Sequence, residues 1–121
     1  VTEDSASLSR ERPVLGVETI GVAIVVRLGG ELDLYNVDQV RAALETAISK
    51  RPGAVVVDLA QVEFIDSTAL GALVEARSKI GNGALRLASP QLATRRTLKV
   101  SGLDRHLPVH DSVEAALAAI T

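Results

Sequence analysis

At 121 residues, 47% hydrophobic and 23% charged, the chain has the size and composition of one soluble globular domain with a single core. It has no cysteine and no tryptophan, one Phe and one Tyr, which excludes disulfides, thiolate catalysis and Cys-ligated zinc and leaves little aromatic surface to stack on bases. A net charge of −2 argues against a nucleic-acid partner, and no apolar run reaches the length of a membrane span. The expectation is a cytoplasmic protein with no membrane partner, no signal peptide, no metal and no cofactor.

Residues 1–13 are polar, charged and rich in Ser, which predicts a flexible tail ahead of one domain over residues 14–121. Val14 to Thr19 and Val22 to Leu28 read as strands of an antiparallel hairpin turning at Ile20-Gly21. In the second strand Val22, Ile24, Val26 and Leu28 share one face, and Ala23, Val25 and Arg27 the other. Gly29-Gly30 is expected to end it.

Next comes Gly30-Glu31-Leu32-Asp33-Leu34-Tyr35-Asn36. Asn36 and Gln39 have the spacing of a capping pair for a helix packing through Val37, Val40, Leu44, Ala47 and Ile48, and Pro52-Gly53 stops that helix. The helix does not need Glu31 or Asp33, which read as solvated carboxylates or as site residues. Tyr35 reads as a partner contact or as a lid on the core.

Ala54 to Leu59 is β-branched and apolar, the mark of a strand covered on both faces. After a turn, Asp66 opens a helix to Ile80, with Leu70, Leu73 and Val74 assigned to the core and Gly71 to close packing. Asp66, Ser67 and Thr68 stand together where a helix lacks internal acceptors for its first N–H groups. A hydroxyl there is a plain cap, or a place to carry a phosphate at the positive end of the helix dipole.

Gly81-Asn82-Gly83 signals a turn and Ala84 to Ala88 a short strand. Ser89-Pro90 is expected to start a helix to about Val100, with Leu92, Leu98 and Val100 as a weakly apolar face and Arg95, Arg96 and Lys99 as a basic one. Leu107-Pro108-Val109 reads as an edge strand. Asp111 to Glu114 reads as a capping box, with Asp111 as cap, for a last helix packing through Val113, Ala116, Leu117 and Ile120. His106 and His110 flank Pro108, so they share no helical face and read as surface loop histidines rather than metal ligands. The order β-β-α-β-α-β-α-β-α implies an α/β fold: a mixed, mostly parallel sheet of about five strands with an antiparallel N-terminal edge, packed with four helices.

There is no phosphate-binding loop or dinucleotide fingerprint, and Ile65-Asp66-Ser67-Thr68-Ala69 lacks the glycines of a nucleophile elbow, so an enzyme is not expected. Gly30-Glu31-Leu32-Asp33, then Phe64-Ile65-Asp66-Ser67-Thr68-Ala69-Leu70-Gly71, then Ser101-Gly102-Leu103 resemble, in that order, the STAS domain of bacterial anti-sigma factor antagonists. The resemblance covers roughly residues 14–120. It implies a STAS-like fold and a protein that binds an anti-sigma factor of the serine-kinase type and so frees a sigma factor. It implies phosphorylation of Ser67 by that kinase, loss of binding, and restoration by a phosphoserine phosphatase. It also places Asp33, Tyr35, Asn36, Asp66, Ser67, Thr68 and Ala69 at the partner surface of a monomer or weak dimer. Ala69 stands where the family often has Gly, Thr68 where it often has Ser, and Leu34-Tyr35 is bulky for its place. A small-ligand or nucleotide-sensing STAS module and a serine hydrolase built on Ser67 are the rival readings.

Overall fold

The computed structural model describes residues 12–81 and 83–120. Residues 1–11 of the expected tail and Asn82 of the expected turn lie outside the described residues. Pro13, assigned to the tail, is buried, and its carbonyl accepts the Gly29 N–H at 2.9 Å.

Strands β1 (Val14–Ile20) and β2 (Ala23–Leu32) form the expected antiparallel hairpin, turning at Gly21, whose φ is +59°. Gly29-Gly30 does not end β2. The strand runs through both glycines to Leu32 because β3 (Ala54–Ile65) is longer than expected and pairs with it in parallel as far as Leu32↔Ile65. Register shifts flank the glycines, and Gly30, at φ +74°, supplies a conformation that other residues rarely adopt. Such bulges bend and twist the paired ends.

The chain continues through α1 (Val37–Ser49), then β3, α2 (Ser67–Ile80), β4 (Leu85–Ala88), α3 (Leu92–Ser101), a short 3-10 turn (Leu103–Arg105), β5 (Val109–His110) and α4 (Val113–Ile120). The five strands lie side by side in chain order, with β2 to β5 parallel, so the mixed sheet and the element order are as expected. Lying between β1 and β3 in the sheet, β2 places Ile24, Val26 and Leu28 in one core with Val55, Val57 and Leu59 of β3, Val40 and Leu44 of α1, and Leu73 of α2. The opposite face buries Val25, Val56 and Ala88 under Val113, Ala116, Leu117 and Ile120 of α4.

Several local expectations need correction. Helix α2 buries Ala69, Ala72, Leu73 and Ala76, and Val74, assigned to the core, is 47% exposed. It lies a further 100° round the helix from Leu73, beyond the stripe that faces the sheet. Helix α3 starts at Leu92, not at Ser89-Pro90, because Gln91 is still extended, at φ −65° and ψ 162°, and holds the N-cap position. Its buried residues are Thr94 and Leu98, one turn apart, whereas Leu92 and Val100 are exposed. Ser112, not Asp111, caps α4: its Oγ accepts the Ala115 N–H at 3.0 Å. Asp111 instead pairs with Arg95 at 3.0 Å.

His110 is a half-buried strand residue rather than a loop histidine. Its Nε2 accepts a hydrogen bond from Arg86 Nη1 at 3.1 Å, so the neutral ring is the one that fits. Burial first, and the Arg86 charge second, lower its pKa below 6.5, against the opposing pull of Asp111. The unfolded chain therefore takes up a proton here before the folded one does as pH falls. His110 adds stability above pH 6.5 that is lost as the pH drops through that value and on to the folded pKa. Melting temperatures from pH 8 to pH 5 are expected to fall more steeply for the wild type than for His110→Gln, with His106 common to both.

Candidate functional site

Ser67 is the first residue of α2 and is exposed. The helix begins there because Asp66 is extended, at φ −99° and ψ 178°, and its carboxylate accepts the Ala69 N–H at 3.0 Å. The Asp66 carbonyl accepts the Leu70 N–H at 3.0 Å, and the Asp66 N–H donates to the Leu32 carbonyl at 3.0 Å. Three hydrogen bonds thus fix the residue before Ser67. The Ser67 hydroxyl itself makes none with any described residue, and the cap is Asp66 rather than Ser67. Removing that cap with Asp66→Ala is expected to cost about 1 kcal/mol, readable as a shift of the denaturation midpoint.

The register brings a second segment to this helix tip. Leu32 and Ile65 are partners on parallel strands, so Asp33 and Asp66, which follow them, leave the sheet side by side. Neighbouring strands are about 4.8 Å apart. Asp33 closes its own turn: one carboxylate oxygen accepts the N–H groups of Tyr35 at 3.0 Å and Asn36 at 3.3 Å. Asn36 sits at the N-cap position of α1, yet its side chain does not cap the helix with Gln39 as expected. It ties the loop down instead, accepting the Asp33 N–H at 2.9 Å and donating to the Glu31 carbonyl at 2.7 Å.

This bracing holds Tyr35 out from the surface, 93% exposed, which rules out a lid on the core. Leu34, beside it in the chain, is 66% exposed, and Phe64, which pairs with Glu31 across β2 and β3, is 54% exposed. Neither was singled out from sequence as a site residue. Phe64 lies two residues before the cap, on the part of β3 beyond Leu59, where the apolar run ends. Thr68 is half-buried, and Ala69 is 1% exposed and packed in the core. Ala69 is thereby withdrawn from the expected partner surface; only its amide takes part, through the cap.

A groove of about 880 Å³ adjoins the loop, lined by Glu31, Asp33, Tyr35, Asn36, Gln61 and Glu63 among others, with Arg12 as its one cation among the described residues. Ser67 and Asp66 do not line it. Neither histidine hydrogen-bonds to Ser67. The site thus presents an exposed hydroxyl at a helix N-terminus, a braced acidic loop and a rim of exposed apolar side chains. An anion carried on that hydroxyl would stand at the positive end of the α2 dipole.

The chain belongs to the STAS domain family, whose model matches residues 15–116. It is 32% identical over 101 residues to the anti-sigma-F factor antagonist RsfB of Mycobacterium tuberculosis, covering 83% of this chain and 82% of that one. The crystal structure of an anti-sigma factor antagonist from Mycobacterium paratuberculosis superposes with a TM-score of 0.82 at 30% identity, covering 88% of this chain and 92% of that one. The Bacillus cell fate determinant SpoIIAA in its phosphorylated form aligns with a TM-score of 0.65 at 25% identity, covering 88% of this chain and 98% of that one. No helix among the described residues is long and apolar enough to cross a membrane.

Proposed function

We propose that this protein is an anti-sigma factor antagonist: it binds a serine-kinase anti-sigma factor in the cytoplasm, frees the sigma factor, and is switched off when that kinase phosphorylates Ser67. A phosphoserine phosphatase resets it. The observation that carries this reading is the exposed Ser67 hydroxyl, free of hydrogen bonds to described residues, at the N-terminus of α2 beside the Asp33 loop. Two further facts support it: the names of the relatives, and the existence of one structural neighbour in a phosphorylated form.

The physics favours a switch over a folding lesion. A phosphoryl group adds about −1.5 to −2 charges at neutral pH. The N-terminus of α2 stabilises such an anion by about 0.3–1 kcal/mol. Against the free domain in water, a neighbouring carboxylate such as Asp33 or Asp66 opposes this by only about 1 kcal/mol. In a docked interface that excludes water, the same repulsion is several times larger. The modification therefore spoils docking while leaving the fold in place. Pull-down with the unmodified chain as bait, against a Ser67→Glu control, tests the reading: the anti-sigma factor is captured by the first and not by the second.

The groove supports a second reading, small-ligand sensing by the same domain. Its lining of Glu31, Asp33 and Glu63 repels phosphates, so a nucleotide is disfavoured there. Calorimetry with nucleotides separates the two readings, since micromolar binding would favour the sensor.

A further inference from the structure

Strand β1 is one edge of the sheet and pairs only with β2 among the described residues. The other edge, β5, is two residues long and follows Pro108. Proteins commonly guard an open edge with Lys, with Pro or by making it short. The seven residues of β1, Val-Leu-Gly-Val-Glu-Thr-Ile, contain neither Lys nor Pro. The register shift is confined to the start of the strand, and Gly16 to Ile20 pair without a break against Arg27 to Ala23. Leu15, Val17 and Ile20 are 50%, 49% and 37% exposed. From Gly16 to Ile20 the edge is thus regular and open, with Glu18 its one charged side chain.

The charges on this edge select what covers it. Gly16 pairs with Arg27, and the Arg27 guanidinium lies over Gly16 where a β-carbon would stand. Arg27 also meets Glu18 of its own strand pair, at a long 3.4 Å, and both side chains are about half exposed. An antiparallel copy of β1 centred on Glu18 would set two carboxylates face to face, which is unfavourable. A copy centred on Val17 sets Val17 against Val17, and Glu18 of each chain opposite Gly16 of the other. Each Glu18 then stands beside the Arg27 of the other copy, on the same face of the sheet, and each guanidinium is shared by two carboxylates.

We propose that a second copy of this chain pairs along β1, antiparallel and two-fold about Val17, joining the two sheets into one. Because the copies run antiparallel, the carboxyl ends of β2 and β3 in each face away from those of the other. Both Ser67 sites stay open. The contact is small, so the dimer is weak and concentration-dependent.

Sedimentation equilibrium of the full chain from micromolar to millimolar concentration is expected to show the mass rising from 12.7 kDa toward twice that value. Val17→Lys, which sets two cations against each other on the axis, is expected to weaken association about tenfold or more with circular dichroism unchanged. Cysteine replacement gives a test that does not depend on that variant folding well, since the chain has no cysteine of its own. In the proposed register the two Val17 Cα atoms are about 4.5–5.5 Å apart, within disulfide range, and the two Ile20 Cα atoms about 20 Å apart. Under mild oxidation Val17→Cys is expected to cross-link about tenfold faster than Ile20→Cys. A mass that stays at one chain throughout overturns the proposal. So does association that Val17→Lys leaves unchanged, or equal cross-linking of the two cysteine variants.

Discussion

The Ser67→Glu variant is expected to bind the anti-sigma factor about 100-fold more weakly than Ser67→Ala, and the phosphorylated wild type more weakly still. The size follows from where the charge sits. Ser67 is exposed at the tip of α2, next to the Asp33 and Asp66 carboxylates that leave adjacent strands. At an effective dielectric near 20, as in a partly dried interface, one pair of like charges about 6 Å apart costs about 3 kcal/mol. That corresponds to about 100-fold in Kd. Ser67→Ala removes a hydroxyl with no hydrogen bond to described residues, so it is expected to bind like the unmodified chain and to resist the kinase. Both variants are expected to melt close to the wild type, because Asp66 and not Ser67 caps the helix. Titration calorimetry against the purified anti-sigma factor reads the ratio. Equal affinity of the two variants would remove the switch.

Tyr35→Ala and Phe64→Ala are expected to weaken the same complex by about 2 kcal/mol each, about 30-fold in Kd, without lowering stability. A large aromatic side chain held 93% exposed by a braced loop gains nothing for the fold and offers apolar area to the proposed partner. The bracing matters as much as the ring: Asn36 fixes both Glu31 and Asp33, so the loop enters the complex already ordered. Asn36→Ala is accordingly expected to weaken binding by loosening the loop, although the Tyr35 ring itself is retained. Denaturant titration in parallel separates the two effects, since surface truncations away from structural hydrogen bonds change stability by less than about 0.5 kcal/mol. Loss of stability with unchanged affinity would assign these residues to the fold instead.

The order of elements, the apolar stripe of α1 and the place of Ser67 at a helix tip were legible because each is written locally. Val37, Val40, Leu44 and Ala47 recur at helical spacing, and Asp66-Ser67-Thr68 sits just ahead of an apolar helix. What local patterns did not reveal depends on pairing between distant segments. Gly29-Gly30 looks like a stop, yet residues 29–32 stay in the sheet because residues 61–65 lie alongside. That extension sets the height at which Ser67 and the Asp33 loop meet, so the site's geometry was hidden although its serine was not. Caps were misassigned for a related reason. Asn36 and Asp111 have the right chemistry for capping, but each found a nearer or stronger partner, Asn36 in its own loop and Asp111 in Arg95. The exposure of Tyr35 and Phe64 is likewise a property of the assembled surface.

The most direct measurement is made on the chain incubated with the proposed anti-sigma kinase and ATP, by intact mass and peptide mapping, followed by titration of the product against the same partner. One added phosphoryl group, located on Ser67, is expected, with a domain that remains folded and binding that disappears and returns after phosphatase treatment. A phosphate found elsewhere, no phosphate at all, or full affinity with Ser67 modified would contradict the proposed switch.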